Sequence, residues 1–386
     1  MKYITDLDVK GKRVLVRCDF NVPLNKNGTL EDDFRIERTL PTIKYLIENK
    51  AKVILMSHLG NPDGTIKKGL SLLPVQKRLS EDLGILPILA EDCVGKKTEG
   101  LANKLQEGRI LLLENLRFHK EETENDLDFA KALSELGEIF INDGFSVSHR
   151  EHASIVGIPK FLPSAAGFLF KEEFETLSKI LKKPKKPLVG IIGGAKLNTK
   201  IKPIKNFLEK VDFLLIGGKI ANAIFEAKGI IVGKPLPEEE VLKEIEKLDL
   251  TNPKLRLPVD ATIALDNVYV RNAGPASARR DELALDIGAE TIKIFSQIIG
   301  QAKTIFWAGP LGKVEEKQFA IGSLQIARAI GESKAFSVAG GNDTISFLRE
   351  YNLADKFSYL STAGGAMLDF LSDGSLVGIE ALEELK

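Results

Sequence analysis

Residues 188–196 read LVGIIGGAK, a short apolar run that stops on two glycines and a lysine. A run this short, without polar alternation, suits a strand covered on both faces, as in a parallel sheet. The pattern recurs in FLLIGGK at 213–219, IFWAGPLG at 305–312, AFSVAGGND at 335–343 and YLSTAGGA at 359–366. In the first half, similar runs end in arginine, histidine or asparagine instead: RVLVRCDFN at 13–21, KVILMSHLG at 52–60 and ILLLENLRFH at 110–119, with VSHREH at 147–152 further on. These patterns predict strands at 13–18, 52–57, 110–114, 138–142, 187–192, 211–216, 304–308, 335–339 and 357–361. Helical patterns such as FRIERTLPTIKYLIENK (34–50) and EVLKEIEKL (240–248) lie between them. The alternation predicts an α/β fold of two domains. Each is a parallel sheet flanked by helices, three layers deep, and a hinge helix joins them. Right-handed crossovers bring the strand C-termini to one edge of each sheet, where open α/β sheets bind ligands.

The domain break falls near 168–187. FLFKEEFETLSKILKK at 168–183 reads as one charged amphipathic helix, and KKPKKP at 182–187 stops it. The expected divisions are 1–167, the connecting helix 168–183, 184–365 and a short last segment 366–386. Lysine plus arginine balance aspartate plus glutamate, 54 against 54, so neither nucleic acid nor a membrane surface is an expected partner. Cys18 and Cys93 are the only cysteines, which argues against a disulfide scaffold and for a reducing compartment. No CxxC or Cys/His spacing suggests zinc. No signal-peptide layout and no stretch of ~20 apolar residues is found, so a cytoplasmic protein is expected.

Two kinds of phosphate site follow. In the first half, Arg17, Arg35, His58, Arg117, His149 and Arg150 fall at one sheet edge, with Asp19 and Asn21 among them. Any one such residue is more often solvated or salt-bridged than a ligand. Together they suit a short acid carrying a phosphate, because arginine forks match phosphate and carboxylate. In the second half there is neither a Walker A loop nor a GxGxxG fingerprint. The case there rests on five glycine turns, which allow backbone N–H groups to approach a nucleotide. Lys196 and Lys200 follow the first turn. Asp343, after Gly340 and Gly341, is either a carboxylate for Mg²⁺ or a helix N-cap. Glu315 either binds ribose hydroxyls or is a plain surface acid. One chain with both sites suggests a phosphoryl group passed between them.

RCDFNVPL, SHLG, ENLRFH, SHREHAS, PSAAGFL, GGAK, LDIG, WAGPLG, GGNDT and STAGGA occur in an order and spacing that resemble the phosphoglycerate kinase family over essentially the whole chain. The resemblance implies a monomeric hinge enzyme that transfers phosphate between ATP and 3-phosphoglycerate with Mg²⁺, and whose two sites close to exclude water. It implies that 366–386 return to the first domain. It places Asp19, Asn21, Arg35, His58, Asn61, Arg117 and Arg150 at the phosphoglycerate, with Arg35 next to the transferring group. Lys196 accompanies the transferred phosphoryl group, and Gly364 and Gly365 face it from a helix start. Lys200, Gly288, Glu315, Gly341, Asn342, Asp343 and Thr344 fall at the nucleotide, with Glu315 at the ribose and Asp343 at the metal. The chain departs from the family where Asn61 replaces the arginine after SHLG. It departs again at Ala308, Asn342, Ala363 and the DGFS of 143–146. A nucleotide-binding member with weakened or lost turnover is the first alternative reading. A dinucleotide-dependent dehydrogenase is the second.

Overall fold

The computed structural model describes residues 1–197, 200–230, 237–265, 269–274, 277–279 and 281–383. They divide into two compact units: Met1–Glu175 with Ser375–Lys386, and Thr176–Gly374.

The first unit is built on six parallel strands: β1 (Arg13–Arg17), β2 (Lys52–Met56), β3 (Ile88–Leu89), β4 (Ile110–Leu112), β5 (Ile139–Asn142) and β6 (Ser164–Ala166). Their order is β3-β4-β2-β1-β5-β6. Strand β1 pairs with β2 at Val14↔Val53 and with β5 at Val14↔Ile139. Side chains alternate across a strand, and here both faces are apolar. Val14 and Val16 enter a core with Ile36, Ile43 and Leu46 of helix α1 (Phe34–Glu48). Leu15 enters the opposite core with Leu111, Phe140 and Leu133, the last on α4 (Leu127–Ser134). The Ile36–Ile43–Leu46 spacing is one face of a helix. Helices α2 (Leu73–Leu83) and α3 (Lys96–Lys104) complete the covering layers. The chain runs from β1 to β2, on to the edge strand β3, back to β4 between β2 and β3, and then crosses to β5 on the other side of β1. That makes a topological switch between β1 and β5.

Helix α5 (Phe168–Lys182) contributes to both units. Its first turn is tied to the first unit's sheet, because Oδ1 of the buried Asp143 accepts the Leu169 and Phe170 N–H groups at 3.0 and 3.2 Å.

The second unit repeats the plan with β7 (Leu188–Ile192), β8 (Phe213–Ile216), β9 (Leu255–Arg256), β13 (Thr304–Ala308), β14 (Phe336–Gly340) and β15 (Tyr359–Ser361). They form a parallel sheet in the order β15-β14-β13-β7-β8-β9. The switch point lies between β7 and β13. Its helices are α6 (Ile201–Lys210), α7 (Gly218–Ala227), α8 (Glu239–Ile245), α9 (Ala289–Gln301), α10 (Ile321–Glu332), α11 (Asn342–Glu350) and α12 (Gly365–Asp373). Trp307 is fully buried at the centre of this core. Residues up to Gly374 stay with this unit, where Asn206 on α6 donates to Ser372 Oγ at 2.9 Å. The last helix, α13 (Val377–Glu383), belongs to the first unit, where Gly378 N–H donates to the Ser148 carbonyl at 2.8 Å.

The two parallel sheets are as the alternating pattern predicts. The additions are short edge strands and a separate antiparallel sheet of β10 (Ala261–Leu265), β11 (Tyr269–Ala273) and β12 (Leu283–Ile287), in the order β11-β10-β12. Strand β11 lies largely in solvent, with Tyr269 75% exposed, so it carries no apolar pattern to read. The 110–114 run leaves the sheet after Leu112.

Candidate active site

The loops after β1, β2, β4 and β5 meet at the first switch point. Asp19, buried just after β1, has Arg35 Nη1 at 2.6 Å from Oδ2 and accepts the Ser146 hydroxyl. Its Oδ1 accepts the Asn21 N–H at 3.0 Å. Arg35, in the first turn of α1, also donates to the Asn21 carbonyl at 3.1 Å. Asn21 Oδ1 accepts the Gly60 N–H at 2.8 Å, and Arg117 Nη1 donates to the Gly60 carbonyl at 2.9 Å. Asp19, Arg35, Asn21, Gly60 and Arg117 are therefore one connected network across three loops. Asn115, fully buried, clamps two of those loops. Its Nδ2 donates to Leu59 O at 2.7 Å and its Oδ1 accepts the Leu59 and Arg117 N–H groups. Sequence reading missed Asn115, whose only signal is a polar residue inside ENLRFH.

The pocket is strongly cationic. His58 is buried and held well below its ordinary pKa, first by burial and then by Arg17, Arg117, Arg35 and Arg150 around it. It is neutral, and its Nδ1 faces Arg17 Nη2 at 3.3 Å, which puts the ring proton on Nε2. Arg17 itself is enclosed. It donates to Ser154 Oγ at 2.8 Å and to the Cys18 carbonyl, and lies 3.9 Å from Glu122. It supports the pocket from behind instead of lining it. Burial and the neighbouring cations hold Arg117 at about 10, and its buried Nε has no hydrogen-bond partner among the described residues. Arg150 is exposed beside His149, with Nε 3.3 Å from the imidazole Nε2. Asn61 is exposed and turns its amide to Asp63 Oδ1 at 2.5 Å.

In the second unit the glycine turns crowd the other switch point. Gly193 N–H donates to Ala308 O at 3.0 Å, joining the ends of β7 and β13. A Cβ on Gly218 would lie 2.8 Å from Gly194 N, and one on Gly364 would lie 3.5 Å from Gly341 Cα. Gly309 N–H donates to Thr344 Oγ1 at 2.8 Å. The turns after β7, β8 and β13 thus touch, as do those after β14 and β15. Lys200 Nζ donates to Gly193 O at 2.5 Å and Ala308 O at 3.3 Å. Its pKa falls to about 8, because burial outweighs the pull of Asp343, and Lys196 adds a smaller push downward. Lys196, Lys200 and Asp343 therefore share one electrostatic environment. Lys196, Asn342 and Asp343 are exposed, the last two in the first turn of α11. Gly341 precedes α11 and Gly364 precedes α12, whose first residue is Gly365. Gly288 is buried against Asp260 at the start of α9, and Glu315 is exposed in the loop after β13.

An open cleft adjoins these turns, with Gly218, Ala221, Phe225, Ile263 and Leu311 in its wall. Asn222 beside it donates to Ala284 O at 3.1 Å. These residues come from α7, β10 and the loop after β13, so sequence reading could not assemble them.

The model for the family described as phosphoglycerate kinase matches residues 4–374. The chain belongs to the phosphoglycerate kinase family. A phosphoglycerate kinase of Coprothermobacter proteolyticus is 44% identical over 392 residues, covering 99% of this chain and 98% of that one. One of Clostridium botulinum is 44% identical over 395 residues with the same coverage. The structure of phosphoglycerate kinase from Coxiella burnetii aligns with a TM-score of 0.81 at 39% identity, covering 99% and 98%. That from Pyrococcus horikoshii OT3 aligns with a TM-score of 0.88 at 32% identity, covering 99% and 98%. As a member of this family the chain is a kinase, and among the described residues no helix is long and apolar enough to cross a membrane.

This cationic pocket has a cost visible in pH. Burial and the arginines hold His149 at about 4 and His152 at about 3. In the unfolded chain these imidazoles titrate near 6.5. Below that pH the unfolded state binds protons the folded state refuses. The stability they contribute is thus complete above about pH 6.5 and is lost as pH falls towards 4 and 3. Asp286, raised by burial to about 7, acts oppositely: its contribution is complete below about pH 4 and lost as pH rises to 7. We expect Asp286→Asn to remove a loss of stability between about pH 4 and 7, measured by urea unfolding across that range. An unchanged pH profile would refute the assignment.

Proposed function

We propose that the arginine pocket takes the phosphoglycerate, the glycine turns take the nucleotide, and a phosphoryl group moves directly between them. The reaction is ATP plus 3-phosphoglycerate giving ADP and 1,3-bisphosphoglycerate, and its reverse. The acceptor is already a carboxylate, so no general base is required. One P–O bond to the acceptor oxygen forms as the bond to the leaving oxygen of ADP breaks. Arg35 and Lys196 neutralise the oxygens of the transferring group. N–H groups at the Gly341–Asn342 and Gly364–Gly365 turns add donors at helix N-termini. His58, Asp19 and Asn21 orient the acceptor, and Arg117 and Arg150 hold its phosphate. Lys200 and Thr344 serve the nucleotide phosphates, Gly288 and Glu315 its nucleoside, and the apolar cleft suits a flat base.

Mg²⁺ fits this donor set. It takes only one or two carboxylates and completes its shell with phosphates and water. Asp343, exposed in the first turn of α11 near two lysines, supplies one such carboxylate. Mg²⁺ would neutralise phosphate charge there. We read the protein as a cytoplasmic monomer.

The observation that carries this reading is the intact network from Asp19 through Arg35 and Asn21 to Arg117 in a chain that also brings its glycine turns together. A coupled assay with Mg-ATP and 3-phosphoglycerate tests it. Mg-ATP binding without turnover would favour the degenerate member. Arg150→Ala should mainly raise KM for phosphoglycerate, since an exposed arginine supplies charge to the bound substrate. A selective loss of ATP affinity would sink that role. Asn61→Arg should lower the same KM by about tenfold or more, because a charge-assisted hydrogen bond contributes roughly 1.5–3 kcal/mol. An unchanged KM would show that this position does not reach the substrate.

A further inference from the structure

Three residues of the first unit that take no part in the proposed transfer lie close together: Asp92, Cys93 and His119. Asp92 and Cys93 follow β3, and His119 follows the turn after β4. One carboxylate oxygen, the thiol sulfur and an imidazole nitrogen all fall within 4.8 Å of one another. We propose that these three side chains form a binding site for a zinc-type divalent cation, separate from the nucleotide metal.

The donor set decides the class of ion. Sulfur and imidazole nitrogen select borderline cations such as Zn²⁺ or Co²⁺, whereas Mg²⁺ and Ca²⁺ take oxygen. Three protein ligands with water in the fourth position is a common open zinc arrangement. His119 Nε2 already lies 2.7 Å from Asp92 Oδ1, so the imidazole is aimed into the cluster. The ring is held from outside by Phe129, at a centroid distance of 5.3 Å. Cys93 is fully buried, while the Asp92 and His119 side chains are 47% and 28% exposed, which leaves a path for the ion to enter. Asp92, Glu121 and Glu122 lie close enough to act on the Cys93 and His119 side chains, so the charge around the cluster favours a cation. Binding replaces the Asp92–His119 hydrogen bond with two metal bonds. The Cys93 thiol gives its proton to solvent and coordinates as thiolate, and His119 coordinates as the neutral ring. The ion would tie the segment after β3 to the loop after β4.

Neither cysteine spacing nor histidine spacing announces this site. Cys93 and His119 are separated by a helix and a strand, and only the fold brings them together.

Co²⁺ titration of the full chain, freed of metal and without nucleotide, tests the proposal. One equivalent should produce thiolate-to-cobalt charge-transfer absorption. Zn²⁺ should abolish that absorption by competition and raise the Tm. Cys93→Ala should remove the band, and His119→Gln should weaken Co²⁺ binding by more than roughly 100-fold, since even an outer partner of a ligand is worth 10–100-fold. Both variants should keep their turnover with Mg-ATP and 3-phosphoglycerate, which also reports that they fold. Cys18→Ser should leave the band in place. Absence of the band in the parent, or its survival in Cys93→Ala, would overturn the site. Both results are independent of whether the kinase roles above are right.

Discussion

Lys196→Ala should lower kcat by roughly 10²- to 10³-fold while leaving the KM values for ATP and phosphoglycerate close to the parent's, as expected when one preorganised charge is removed from a transition state. Lys196 follows the first glycine turn and is exposed, so truncating it removes no core packing. Lys200 is different. It is half-buried, holds Gly193 and Ala308, and is pushed down to about 8. Its loss would disturb the turn as well as the charge. In the Lys196 variant Lys200 also loses a repelling neighbour, so its ammonium form becomes more stable. Steady-state kinetics of the two single variants separates the roles. A Lys196→Ala enzyme with unchanged kcat would remove Lys196 from the chemistry.

Gly309→Ala should abolish Mg-ATP binding and destabilise the second unit by about 2–5 kcal/mol, the sum of left-handed backbone and overpacking costs. Gly309 sits at φ +92°, just after β13. An added Cβ would fall 2.2 Å from Gly193 O and 2.3 Å from Lys200 Nζ. The first of these is backbone at the end of a central strand and cannot swing aside. The second is the lysine that binds the turn together. Gly229→Ala is the control: it has a similar positive φ of +73° but nothing within 4 Å of its Cβ, so it should cost only the backbone term. Calorimetric titration with Mg-ATP and urea unfolding measure both effects. Parent-like affinity in Gly309→Ala would mean that the turns can separate without harm to the nucleotide site.

The departures from the family pattern look different in three dimensions. Asn342 stands in the first turn of α11 and is exposed, so a side chain is accommodated there. Ala308 ends β13 with its carbonyl accepting both Gly193 N–H and Lys200, contacts made by backbone that do not depend on the side chain. Asn61 is the one position among these where the resemblance implies a change of charge.

Much of the fold was legible because local physics wrote it twice. Short apolar runs stopping on glycine or on arginine mark strands whose two faces are covered and whose ends meet at the switch points. The alternating helices then require parallel sheets. Edge strands β3 and β9, at two residues each, and solvent-exposed β11 carry no such pattern. They exist because a neighbouring strand offers hydrogen bonds.

The residue types of both half-sites, and the strand ends that bear them, follow from the sequence alone, since side-chain charge and backbone freedom are properties of each residue. Which of those residues face a ligand does not. Arg17 and Arg117 look equivalent as text, yet Arg17 is sealed behind Ser154 and Glu122 while Arg117 reaches the Gly60 loop. The apolar cleft, the Asn115 clamp and the Asp92–Cys93–His119 cluster were likewise settled by tertiary structure. Burial and proximity depend on segments far apart in the chain, and no local pattern encodes which distant partner arrives.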